Sequence, residues 1–274
     1  MITGGASGIG REIARRYVAE GAAVVVGDLD RTLLGEVAGE LGPACTTSAA
    51  DVTDEADVEA LVAAAMTVHG RLDIGVNCAG VGGLAPVTEM TLADWDLVVG
   101  TCLNGVFLTT KHEARAMATV PLKVGEPVIG GPVIGGPVII NIASINARQP
   151  AEGMSAYCSA KAGVEMFTRV AAMELGPAGI RVVGIGPGLV DTPLTAFQHE
   201  MPVLRAAYLE SIPLGRAGTT ADIASAAVFL ASDDASWISG DTLFVDGAEM
   251  TRGYPAMLSL LGQGREGGEA TTSS

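Results

Sequence analysis

The sequence predicts a doubly wound parallel α/β sheet with helices on both faces, and three observations carry that reading. Short β-branched runs alternate with helical stretches along most of the chain. Such alternation means βαβ units and a parallel sheet. The 274 residues are 49% apolar but only 4% aromatic. The excess is mostly Ala, Val, Leu and Ile, the composition of strands covered on both faces. No composition break divides the chain, and a chain of this length can bury roughly three quarters of its unfolded surface in one core. A single domain over residues 1–258 is expected, with a disordered Gly-, Glu- and Ser/Thr-rich tail at 259–274.

The elements follow in order. Arg11 to Glu20 is a helical stretch stopped at Gly21, and Ala23 to Gly27 is a strand running into Asp28. Leu33 to Leu41 is helical, and Thr46 to Ala50 extended. Asp54 to Val68 is a helix with acids in its first turn, where they suit the helix dipole. Leu72 to Asn77 is a strand, Thr91 to Met117 a long helical region, and Val138 to Ala143 a buried strand. Ser155 to Leu175 is a helix closed by Gly176-Pro177. Arg181 to Ile185, Ala221 to Ala231 and Thr242 to Val245 complete the pattern as strand, helix and strand. Pro127 to Gly136 repeats Pro-Val-Ile-Gly-Gly in tandem. It reads as a surface loop lengthened by duplication at the N-terminal end of the next strand, away from where ligands bind in such sheets.

Mean hydropathy is +0.40, so a membrane span has to be considered. The longest uncharged run, Pro127 to Ala147, is broken about every five residues by Pro or Gly-Gly, and a bilayer helix needs about 20 apolar residues without such breaks. No membrane partner is therefore expected. The N-terminus has no basic or apolar leader region, so no signal peptide is expected. The net charge is −15, which opposes nucleic acid and anionic membrane surfaces and an acidic protein partner. Cys45, Cys78, Cys102 and Cys158 are scattered without CxxC pairs and read as reduced thiols of a cytoplasmic protein. His69, His112 and His199 lie far apart, and no metal-ligand spacing occurs.

Four features carry chemistry. Thr3-Gly4-Gly5-Ala6-Ser7-Gly8-Ile9-Gly10 feeds a helix. Gly4 permits a tight turn, Gly8 lets backbone approach a pyrophosphate, Gly10 allows close packing, and the helix N-terminus attracts the anion. A plain Gly-rich turn is the competing reading. Asp28 ends the second strand 20 residues past Gly8, followed by Leu29. A carboxylate there can accept from both hydroxyls of an adenosine ribose and would repel a 2′-phosphate. With Ser7 rather than a base in the loop, this favours NAD over NADP, although Asp is also a common turn residue. Tyr157 and Lys161 stand four apart, on one helix face. A phenol is a poor base near pKa 10, and an adjacent ammonium favours its ionised form. With lysine only at 111, 123 and 161, a chance pair at this spacing has odds of about one in twenty-five. Ser144 directly follows a strand, at the carboxyl end where sites form.

Taken together, Thr3-Gly4-x-x-x-Gly8-x-Gly10, Asp51-Val52, Asn77-Cys78-Ala79-Gly80, Asn104, Ser144, Tyr157-x-x-x-Lys161 and Pro187-Gly188-x-Val190-x-Thr192 resemble the short-chain dehydrogenase/reductase family. The resemblance spans roughly Ile2 to Gly247. It implies a Rossmann-like fold, a homotetramer, and a Ser/Tyr/Lys/Asn active site. By it, Tyr157 is the general acid/base, Lys161 lowers its pKa and binds the nicotinamide ribose, Ser144 positions the substrate oxygen, and Asn104 holds a relay water behind Lys161. Asp51 and Val52 would hold the adenine. Asn77, Ala79 and Gly80 would border the adenosine ribose. Pro187 and Gly188 would also belong to the cofactor site, and Val190 and Thr192 would bind the carboxamide. The chain departs from the family in Cys78, which replaces an Asn, and in a lengthened loop at Val120 to Gly136. It also has only Met1 and Ile2 ahead of the glycine loop, where the family has a central strand of about five apolar residues. So short a strand is expected to leave its neighbours' backbone groups unpaired.

The expected reaction is reversible oxidation of a secondary alcohol by NAD. Residues Leu189 to Arg216 and Ile145 to Met154 are the expected pocket wall. They include Leu194, Phe197, Met201, Leu204, Tyr208 and Leu209, with His199 as a surface residue. They suit a mid-sized, mostly apolar alcohol or ketone such as a cyclic alcohol, a diol or a sterol, or else simply pack a lid helix. Two rivals remain: an NADPH-dependent 3-oxoacyl reductase of the same family, and a non-catalytic dinucleotide-binding regulator. The stripe Ala156, Ala160, Val164, Phe167, Ala171 and Leu175 reads as core or interface.

Overall fold

The computed structural model describes residues 1–119, 127–128, 131–132, 136–255 and 257. Seven parallel strands form the central sheet: β1 (Ile2–Thr3), β2 (Val24–Asp28), β3 (Cys45–Ala49), β4 (Ile74–Asn77), β7 (Val138–Ile142), β8 (Arg181–Pro187) and β9 (Thr242–Val245). Their spatial order is β3-β2-β1-β4-β7-β8-β9. Chain order reverses between β1 and β4, which opens a crevice at the carboxyl ends of those two strands. A separate antiparallel pair, β5 (Pro127–Val128) and β6 (Gly131–Pro132), lies within the duplicated segment. The rest of that duplication and the expected tail at 259–274 lie outside the described residues, except for Gly136.

Strand alternation builds the two halves of the core. Val24, Val26, Ile140, Val183 and Ile185 face the side covered by α1 (Gly8–Ala19) and α8 (Thr220–Ala231), meeting Ile13, Ala14, Ile223 and Ala227. Val25, Ile139 and Val182 face the other side. There they meet Leu61 and Val62 of α3 (Glu55–His69), Met117 of α5 (Gly105–Thr119) and Ala171 of α6 (Ser155–Leu175). Each fully buried aliphatic side chain contributes about 1.5–3 kcal/mol.

Helix starts follow local chemistry. Asp30 accepts from Thr32 N and Leu33 N at the head of α2 (Arg31–Leu41), and Asp54 accepts from Ala56 N at the head of α3. Thr91 caps α4 (Leu92–Val99), and Thr219 forms a capping box with Asp222 at α8. Such caps satisfy amides that have no partner within the helix. The long helical region at 91–117 is α4 and α5 joined through a wide π-helical turn, Gly100–Asn104. The expected helix over the pocket is also present, as a 3₁₀ segment Pro193–Glu200 followed by α7 (Pro202–Ser211).

The two-residue β1 bridges its neighbours more fully than its length suggests. Ile2 pairs with Val26 and Val76, and Thr3 with Gly27 and Asn77. Met1 adds its carbonyl, which accepts from Val76 N at 2.9 Å.

Candidate active site

The crevice opens at the carboxyl ends of β1, β2, β3, β4, β7 and β8. Beyond β1 the chain turns through Gly4 (φ 62°) into α1. A Cβ at Gly4 would stand 2.7 Å from the Ala79 backbone, and one at Gly10 would stand 2.2 Å from Gly4 O. The tight turn and the close packing assigned to these glycines are therefore both present. Thr3 Oγ1 accepts from Cys78 N at 3.2 Å and ties the loop after β4 to β1. Ser7 makes no side-chain cap bond at the start of α1, which leaves that helix end open to an anion.

Asp28 closes one end of the crevice. Its Oδ2 accepts from Ala6 N at 3.0 Å and its Oδ1 from Asp30 N at 3.2 Å. Gly4, Ser7, Gly8, Ile9, Gly10, Asp28, Leu29, Asp51, Val52, Ala79, Gly80, Ser144, Tyr157, Lys161, Pro187, Gly188, Val190 and Thr192 all line one cleft of about 410 Å³. The donor set suits a dinucleotide: a glycine turn at a helix start for phosphate, and a carboxylate at the next strand end for ribose.

At the other end, Lys161 is 4% exposed, and its Nζ donates to Ile142 O, the last residue of β7, at 2.7 Å. The same Nζ lies 5.6 Å from the centre of the Tyr157 ring. Ser144 Oγ accepts from Asn146 N at 3.1 Å and lies 3.3 Å from Asn146 Oδ1. Burial pushes the Tyr157 phenol above its ordinary range, while the Lys161 charge and a hydrogen bond with Ser144 pull it back.

Two expected residues are not in the cleft. Asn104 is exposed and absent from its wall. The π-helical turn carries it outward and turns Cys102 inward instead. Cys102 is 0% exposed; its Sγ donates to Val81 O at 3.3 Å and accepts from Val81 N at 3.4 Å. Asn77 is 1% exposed. Its Nδ2 lies 3.2 Å from Thr110 Oγ1, 3.1 Å from Glu113 Oε2 and 3.0 Å from Asn141 Oδ1. It therefore locks β4 to α5 and β7 beneath the sheet rather than bordering a ligand.

A second chamber of about 420 Å³ adjoins the cleft. Ser144, Tyr157, Gly188, Leu194 and Thr195 belong to both. Of the residues expected there, Ile145, Met154, Leu189, Leu194, Phe197 and Tyr208 line the chamber. Met201, Leu204 and Leu209 instead pack α7 against Ile212 and Met257. The segment thus divides between residues that line the chamber and residues that pack the helix over it. His199 is exposed, with Nε2 3.5 Å from Asp191 Oδ1. Asn146, Gln198, Tyr254 and Met257 also line the chamber. Asn146 and Gln198 lie within the expected wall segments, whereas sequence spacing carried no signal for Tyr254 and Met257.

The comparisons agree with this geometry. Residues 4–248 match the family described as "Enoyl-(Acyl carrier protein) reductase". Momilactone A synthase of Oryza sativa subsp. japonica is 41% identical, over 90% of this chain and 88% of its own. 3beta-Hydroxysteroid dehydrogenase 1 of Eggerthella lenta is 36% identical, over 90% and 91%. The chain belongs to the short-chain dehydrogenase/reductase family. The crystal structure of 3-ketoacyl-(acyl-carrier-protein) reductase from Brucella melitensis, complexed with NADH, superposes with a TM-score of 0.80. It is 38% identical, over 90% of this chain and 96% of that one. Members of the family are oxidoreductases that bind a nicotinamide dinucleotide. No helix among the described residues is long and apolar enough to cross a membrane.

Glu249 supports the cleft wall from behind. It is 0% exposed, and its Oε2 accepts from Leu189 N at 2.8 Å. Burial pushes its carboxyl up from 4.5 to about 7. The folded state holds this proton more tightly than the unfolded chain does. Its contribution to stability is therefore complete below pH 4.5 and is lost as pH rises through about 7. Glu249→Gln keeps the acceptor and removes the titration. In thermal melts the variant's Tm should gain on the wild type's between about pH 5 and about pH 8; a pH-independent difference would count against this assignment.

Proposed function

We propose that this protein is an NAD-dependent alcohol dehydrogenase that interconverts a secondary alcohol and a ketone on a mid-sized, mostly apolar skeleton: a cyclic alcohol, a diol or a sterol-like compound. The observation that carries the reading is the shared wall. Ser144 and Tyr157 border both the cleft with dinucleotide-binding chemistry and the apolar chamber, so a substrate oxygen between them lies at the junction of the two.

Gly4 to Gly10 would hold the pyrophosphate, Asp28 the adenosine ribose, Asp51 and Val52 the adenine, and Val190 and Thr192 the carboxamide. Bound NAD supplies the acceptor for the carbinol hydrogen and a positive charge near the phenol. Ser144 Oγ holds the substrate oxygen. Tyr157 takes the hydroxyl proton as phenolate and returns it in the reverse direction. Lys161, fixed on Ile142 O, supplies the charge that offsets the burial of Tyr157.

Two exposed apolar surfaces support a homotetramer. Phe107, Met166, Val170 and Met173 stand on α5 and α6, and Phe229, Trp237 and Leu243 near the β9 edge. The expected stripe on α6 supplies neither, since Ala156, Ala160, Val164 and Ala171 are buried in the subunit. Four free cysteines fit a cytoplasmic location.

A second reading, a 3-oxoacyl reductase using NADPH, is favoured by the name of the Brucella melitensis neighbour, although that neighbour is complexed with NADH. Asp28 at the ribose position and the net charge of −15 oppose NADPH and an acidic carrier protein.

Tyr157→Phe should lower kcat for NADH formation by about 10²–10⁴-fold while NAD affinity, followed by fluorescence titration, stays close to wild type. A variant with near-wild-type kcat would remove Tyr157 from the chemistry. Asp28→Ala should lower the kcat/KM ratio of NAD to NADP by about tenfold or more; a wild type that prefers NADP overturns the cofactor assignment. Light scattering should give four copies of the 27.7 kDa chain, and a monomeric mass rules the tetramer out.

A further inference from the structure

The chamber beside Ser144 and Tyr157 is walled largely by apolar groups, including Leu84, Ile145, Leu189, Leu194, Phe197 and Met257. Most polar side chains on the same wall are bonded to one another or to backbone. Asn146 Nδ2 donates to Gln149 O at 3.0 Å, and Asn146 Oδ1 lies 3.3 Å from Ser144 Oγ. Thr195 Oγ1 donates to Val190 O at 2.6 Å. The hydroxyls of Tyr208 and Tyr254 are 3.0 Å apart, and Tyr254 also bonds the Asn146 side chain.

Gln198 differs. It is 2% exposed, and its Oε1 is buried with no hydrogen-bond partner among the described residues. Gln198 is the only residue lining this chamber that carries such an atom among the described residues. It belongs to the same 3₁₀ segment that presents Leu194, Thr195 and Phe197 to the chamber. A buried amide oxygen without a donor is unfavourable, and a ligand group that supplies the donor relieves that cost.

We propose that Gln198 is a specificity-determining residue that selects substrates carrying a second hydroxyl, remote from the carbinol held by Ser144 and Tyr157. The inference rests on the dehydrogenase reading and narrows its substrate class to diols on an apolar, alicyclic skeleton. The skeleton lies along the aliphatic wall, one hydroxyl meets Ser144 and Tyr157, and the other donates to Gln198 Oε1. A mono-alcohol of the same shape leaves that oxygen buried and unpaired. Sites built to hydrogen-bond a substrate hydroxyl reject analogues that lack it far more strongly than apolar pockets reject a change of size. A plain acyl chain offers no donor at this position, and a carboxylate would set oxygen against oxygen.

The test uses two matched pairs that differ only in the second hydroxyl: cyclohexanol with cyclohexane-1,4-diol, and androstan-3-ol with androstane-3,17-diol. For the wild type, kcat/KM with NAD should favour the diol of at least one pair by about tenfold or more. In Gln198→Leu that preference should collapse toward unity. Equal kcat/KM within both pairs for the wild type overturns the proposal. So does a Gln198→Leu variant that loses activity on diol and mono-alcohol alike, because a merely structural glutamine would behave that way. Calorimetric binding of the same four alcohols to the NAD complex separates this inference from the catalytic one. Tighter diol binding without NADH formation overturns the dehydrogenase reading and keeps the subsite. Equal affinities, or no binding by any of the four, overturn the subsite.

Discussion

The site depends on one buried cation. Lys161, almost without solvent access, is held by the carbonyl that ends β7 at 2.7 Å. An ammonium in such a place is costly unless it is bonded. The bond does more than offset that cost. It fixes α6 against the strand end, and Ser144 lies two residues beyond Ile142 while Tyr157 lies one turn before Lys161 on the same helix. One contact thus sets the distance between the serine hydroxyl and the phenol, and also the electrostatic balance of that phenol. Burial alone pushes the Tyr157 phenol above its ordinary range. The lysine charge and the serine hydroxyl pull against it.

Around that contact the fold provides two compartments of different character. The cleft is built at strand ends from backbone, glycine and carboxylate, which suits a polar, extended ligand. The chamber is built from the 3₁₀ segment at Pro193–Glu200, from α7 and from the C-terminal residues Tyr254 and Met257, which suits a compact apolar one. The rigid sheet and the two-sided core serve the first, and the less regular cover serves the second. Family likeness accordingly speaks clearly about the cleft and says less about the chamber.

The same division governs what could be read from the residues alone. Strand and helix order, the glycine turn, Asp28 and the Tyr157/Lys161 pair were legible because each depends on local spacing: β-branched runs, a turn that excludes Cβ atoms, two side chains one helical turn apart. Asn104 was misplaced because a π-helical turn changes which side chain faces inward, and a regular 3.6-residue period gives no warning of it. Asn77 was misplaced for a related reason. It ends a strand, and alternation there sent its amide under the sheet to Glu113 and Asn141 while its neighbours Ala79 and Gly80 kept the crevice. Gln198 fell inside the expected wall at Leu189 to Arg216 without being singled out, and Tyr254 and Glu249 were not legible at all. Their roles arise from contacts across the chain that no spacing encodes, such as Glu249 Oε2 beneath Leu189 N.

The wide turn at Gly100–Asn104 has a consequence for how such a protein can vary. It holds one residue more than a regular helical turn. The two halves of a continuous helix are therefore rotated against each other by roughly 100°. The first half places Leu97 on the cleft wall, and the second places Met117 in the core and Glu113 beside β4. The turn acts as a swivel between them. Residues ahead of it can exchange to suit a different ligand while those behind it keep their register on the sheet, so the lining can diverge and leave the scaffold intact.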